Sequence, residues 1–96
     1  MEYMFSECSL LESLNLYNFN TENVLNMQKM FYQCNSLASL NLDSFNTSAV
    51  INMGYMFNGC NSLKSLNLSH FNLEFTTNFD NIFIGCKENL IYCFNK

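Results

Sequence analysis

A 26-residue repeat constrains this chain more than any other feature. Phe5, Phe31, Phe57 and Phe83 stand 26 residues apart, and so do Cys8, Cys34, Cys60 and Cys86. Leu14, Leu40 and Leu66 keep the same spacing, as do Leu16, Leu42 and Leu68. The unit reads M-F-x-x-C-x-x-L-x-S-L-N-L-x-x-F-N-T-x-x-V-x-N-M-x-x. No single unit of this length can bury its own apolar positions. Side-by-side stacking buries them in one continuous core, with position n of each unit on position n of the next. The 96 residues therefore read as one repeat domain, with units at about 4–29, 30–55 and 56–81 and a partial terminal unit at 82–96.

Two periodicities run inside each unit. "SLNL" alternates, so Leu14 and Leu16 face one way while Ser13 and Asn15 face the other, which predicts a short strand with one buried face. Val24, Met27, Phe31 and Cys34 fall at steps of three, four and three, which predicts one face of a helix of about three turns. Strands are expected near 11–16, 37–42, 63–68 and 90–94, and helices near 1–7, 23–33, 49–58 and 76–84. Thr21 and Thr47 stand where a side-chain oxygen would cap a helix start. Gly59 and Gly85 stand near the expected helix ends. The fold class that follows is an α/β solenoid of the leucine-rich-repeat type, about three and a half units long. Its parallel strands lie on one side and its short helices on the other.

The words of the repeat add a resemblance. "MFYQCNSLASLNLDSFNTSAVINMGYMF" resembles the unit of the BspA-like leucine-rich-repeat surface proteins, which reads close to M-F-x-x-C-x-S-L-x-S-L-D-L-S-N-F-N-T-S-x-V-x-N-M. The likeness covers nearly the whole chain. It implies a cell-surface or extracellular setting and work by binding or adhesion, without enzymatic activity or a cofactor. Asn15, Asn41 and Asn67 depart from it where that family often has Asp, and Leu73 stands where the other units have Thr.

Charge excludes some partners. Eight acids against four lysines, with no arginine, leave a net charge of −4. A nucleic-acid binder needs a basic face to neutralise phosphates, so none is expected. No apolar run approaches the roughly 18 residues that span a bilayer, so membrane insertion is not expected either. No basic segment leads into an apolar run as in a signal peptide, so the extracellular expectation rests on the resemblance.

The outer strand face is the candidate ligand surface. Ser13, Asn15, Ser39, Asn41, Ser65 and Asn67 would form a grid of hydroxyls and amides, beside which Tyr17 offers a ring. Such a grid suits a carbohydrate or an extended polar peptide. The plainer reading is that stacked amides bond from rung to rung. Asn46-Thr47-Ser48 and Asn67-Leu68-Ser69 are glycosylation sequons, with Asn67 the more accessible. The cysteine column reads as a stack of reduced, buried thiols. Cys93, seven residues after Cys86, could instead close a disulfide with it. No C-x-x-C occurs and only one histidine, so no metal site is expected.

The two ends suggest an alternative function. Met1, Met4 and Phe5 carry core positions of the first unit and are expected to need a cover, and Ile91, Tyr92 and Phe94 are apolar where earlier units are polar. Either further repeats of a longer chain or another copy, stacked head to tail, would cover them. Repeated without closure, the second arrangement makes a filament.

Overall fold

A computed structural model describes residues 1–86 in full and the backbone of residues 91–94. The units stack in register, but the α/β leucine-rich-repeat fold expected from the sequence does not form. Among the described residues there is no helix, and regular strand is confined to two short segments. β1 (Ser65–Leu68) pairs in parallel with β2 (Ile91–Phe94), with Ser65 opposite Ile91 and Leu68 opposite Phe94. The segments near 11–16 and 37–42 carry no assigned strand, and single parallel bridges join Asn26 to Asn52 and Asn52 to Asn78.

The backbone explains why the helices are missing. Two positions in every unit, four residues apart, have positive φ: Tyr3 and Glu7, Lys29 and Gln33, Tyr55 and Gly59, Asn81 and Gly85. An L-residue there cannot continue a right-handed helix. Amides instead alternate between two kinds of partner. Met30, Tyr32 and Cys34 donate three residues back, to Met27, Lys29 and Phe31 carbonyls. Met27, Lys29, Phe31 and Gln33 donate forward into the next unit, to the carbonyls of Asn52, Gly54, Met56 and Asn58. The next unit repeats the pattern, with Met53, Tyr55, Phe57 and Gly59 donating to Asn78, Asp80, Ile82 and Ile84. Each unit is thus a rung of overlapping tight turns, bonded to its neighbour along the stack.

This geometry keeps the spacing that imitates a helix. Successive turns return Met27, Met30, Phe31 and Cys34 to the same side, where all four are fully buried. Phe5, Phe31, Phe57 and Phe83 form a column of nearly parallel rings, with centroids 5.6, 5.6 and 5.9 Å apart. Leu16, Leu42 and Leu68 close the core from the opposite side at 1% exposure or less.

The threonines do something other than cap helices. The Thr21 hydroxyl donates to the Asn46 carbonyl (2.9 Å) and accepts from the Asn46 amide (2.8 Å). Thr47 makes the same pair with Asn72, at 3.1 and 2.8 Å. A buried hydroxyl thereby satisfies both backbone polar groups of a residue one rung away.

Candidate functional site

Asparagine builds the surface of the stack. Asn15, Asn41 and Asn67 each turn their Oδ1 onto the backbone amide two residues on, at Tyr17 (3.0 Å), Asp43 (2.8 Å) and Ser69 (3.0 Å). Asn20, Asn46 and Asn72 do the same to Glu22, Ser48 and Glu74, and Asn26, Asn52 and Asn78 to Gln28, Gly54 and Asp80. Three such turns per unit put the short amide side chain to a use that stabilises sharp bends. Nine of the seventeen asparagines are accounted for this way.

The column at 15, 41 and 67 therefore does not bond amide to amide from rung to rung. Its oxygens are engaged locally, and among the described residues its Nδ2 groups have no protein partner. Ser13, Ser39 and Ser65 are exposed beside it. Together these columns line an open hollow of about 380 Å³, formed by Ser13, Leu14, Ser39, Leu40, Asn41, Asp43, Ser65 and Asn67. A second hollow of about 230 Å³ adjoins it, lined by Asn15, Leu16, Tyr17, Asn41, Asp43 and Ser44. Asn41 and Asp43 belong to both. Tyr17 stands at 82% exposure.

Asp43 escapes a reading of the repeat because no other unit has a carboxylate there; its equivalents are Tyr17 and Ser69. The next column has a structural task. Ser44 Oγ donates to the Leu16 carbonyl (2.7 Å), and His70 Nε2 lies 2.8 Å from the Leu42 carbonyl. His70 thus ties its unit to the preceding one and packs edge-on against Phe71.

Two other surfaces stand apart. Lys29 Nζ lies 5.6, 4.9 and 5.5 Å from the ring centroids of Tyr3, Tyr32 and Tyr55. This locks three rungs together by cation–π contact. An apolar groove of about 620 Å³ is lined by Leu25, Ser48, Ala49, Ile51, Phe75 and Thr77.

Cys8, Cys34, Cys60 and Cys86 are free thiols. Cys34, Cys60 and Cys86 donate to the carbonyls of Phe5, Phe31 and Phe57, at 3.0, 3.0 and 3.1 Å. Burial pushes the Cys60 thiol up to about 12 and Cys34 up to about 11, and raises Cys86 as well. All three therefore stay protonated donors near neutral pH. The side chain of Cys93, the alternative partner of Cys86, lies outside the described residues, as do those of Ile91, Tyr92 and Phe94. At the first rung Met1 and Phe5 are half-buried and Met4 is 48% exposed. Both sequon asparagines are exposed, and each Oδ1 also accepts from the hydroxyl of its sequon serine, Ser48 or Ser69, at 2.7 Å.

The repeat that builds this surface is shared. Residues 1–91 match the family DUF285, described as a Mycoplasma protein of unknown function. The chain belongs to that family. No curated protein and no solved structure matches it.

Proposed function

We propose that this DUF285 chain is a non-enzymatic recognition module that binds carbohydrate across its serine and asparagine columns. The observation that carries this reading is the open hollow spanning three rungs, lined by Ser13, Ser39 and Ser65 together with Asn41 and Asn67. Neutral hydroxyls and spare amide donors match a ligand rich in hydroxyls. A peptide bound as an added strand would pair its backbone with a sheet edge and would leave the exposed serine and asparagine side chains unused. The likeness to BspA-like surface proteins supports a cell-surface or extracellular setting. Ser39→Tyr tests the reading, because Ser39 is exposed and central in the hollow. Binding to an array of immobilised oligosaccharides should be lost in this variant while its circular dichroism stays unchanged. Undiminished binding would place the ligand elsewhere.

A second reading is self-assembly by head-to-tail stacking into a filament. It is favoured by the rung-to-rung ladder, in which every described turn segment presents carbonyls to the rung before it. The Glu2, Met4 and Ser6 carbonyls are the first-rung equivalents of the acceptors Gln28, Met30 and Tyr32, and another rung of the same kind would fit on them. Sedimentation across micromolar concentrations should then show mass growing with concentration. A single monomeric species throughout would remove this reading.

A further inference from the structure

Three identically held backbone positions carry three different side chains on the candidate face. The amides of Tyr17, Asp43 and Ser69 are each fixed by the asparagine two residues earlier, at 3.0, 2.8 and 3.0 Å. In the same three units the neighbouring serine column (Ser13, Ser39, Ser65) and asparagine column (Asn15, Asn41, Asn67) do not change. Beside these two constant columns the position at 17, 43 and 69 varies, and specificity belongs to what varies.

Tyr17 and Asp43 are adjacent in that column and line the same hollow with Asn41. Among the described residues Tyr17 is the second most exposed of the large apolar side chains, after Leu10. Among the described residues neither the Tyr17 hydroxyl nor the Asp43 carboxylate has a hydrogen-bond or ion-pair partner in the protein. Both residues are exposed and line the same hollow, with these two groups unbonded to the rest of the described protein. A phenol ring supplies a flat apolar platform with a polar rim. A carboxylate accepts hydrogen bonds and donates none, and its two oxygens can take two neighbouring hydroxyls. It also repels a second carboxylate brought into the same notch.

We infer that Tyr17 and Asp43 form the specificity notch of this face, which takes an uncharged sugar ring presenting adjacent hydroxyls and rejects acidic sugars. The ring stacks its apolar face on Tyr17 while two hydroxyls donate to Asp43. This inference rests on the proposed carbohydrate face, and the experiment separates the two. Immobilised dextran and mannan serve as neutral probes and polygalacturonate as the acidic one, read at low salt, where charge effects are least screened. The wild-type chain should bind at least one neutral polymer and discriminate against polygalacturonate. Asp43→Asn should cut that discrimination by about tenfold, and added salt should narrow it in the wild type. Tyr17→Ala should weaken the neutral polymer by a similar factor, about tenfold. Equal wild-type binding to neutral and acidic polymers, or discrimination unchanged in Asp43→Asn, overturns the notch and leaves the face standing. Binding to none of the three polymers by the wild type overturns both.

Discussion

At the scale of single residues, the stack depends on polar atoms that each serve a backbone group one rung away. Thr47 is the clearest case, because its buried hydroxyl satisfies both the amide and the carbonyl of Asn72. Thr47→Val keeps the shape and removes both bonds. The loss expected in urea unfolding is about 1–3 kcal/mol, and Thr47→Ser should recover most of it. The cysteines make a second residue-scale prediction. The Cys60 thiol sits at about 12 in the folded chain against an ordinary value of 9.0. Below pH 9 it is protonated in both states and stability is unaffected. Between 9 and 12 the unfolded chain gives up its proton and the folded chain keeps it, so stability falls as pH rises through that window. Cys34, at about 11, adds to the fall over a narrower range. Unfolding midpoints measured from pH 8 to 11 should drop, and Cys60→Ala should flatten the drop.

At the scale of the element, the rung turns on its positive-φ positions. Gly59 has φ +81°, and a Cβ there would meet the Gln33 amide, with Nε2 at 2.6 Å and Cδ at 2.7 Å. The Gln33 side chain thus covers the left-handed position at Gly59, and a Cβ at Gly85 would in turn meet the Gly59 backbone at 3.1 Å. Gly59→Ala should destabilise by more than about 1 kcal/mol in urea unfolding. Adding Gln33→Ala should relieve the clash but not the backbone strain, recovering only part. These positions also explain what the sequence hides. Tyr3, Lys29, Tyr55 and Asn81 share φ values of 54–62° without a glycine among them, so no composition signal marks the break in the helix. The spacing of Val24, Met27, Phe31 and Cys34 is legible as one buried face, but overlapping turns and a helix produce the same spacing. Strand alternation is similarly legible at Leu66 and Leu68, where β1 forms. Leu14 and Leu16 show the same alternation in a unit without an assigned strand.

At the scale of the whole molecule, the period was the legible part. Columns of Phe, Leu and Cys meet their counterparts one unit on, and the candidate face follows from the serine and asparagine columns read off the repeat. Asp43 was not legible, because a functional group that occurs once is invisible to a search for what recurs. The same logic predicts how the stack fails. Each described rung bonds to its neighbours through amides and carbonyls along the stack, so loss of one rung should strip partners from the next and the rungs should unfold together. The central claim is that the turn-side amides bond across rungs and not within a helix. It is tested most directly by scalar couplings across hydrogen bonds in an isotope-labelled sample. The structure predicts a coupling between the Phe31 amide nitrogen and the Met56 carbonyl carbon, whose oxygen lies 2.9 Å away. A coupling from Phe31 to the Met27 carbonyl instead, four residues back as in an α-helix, would contradict it.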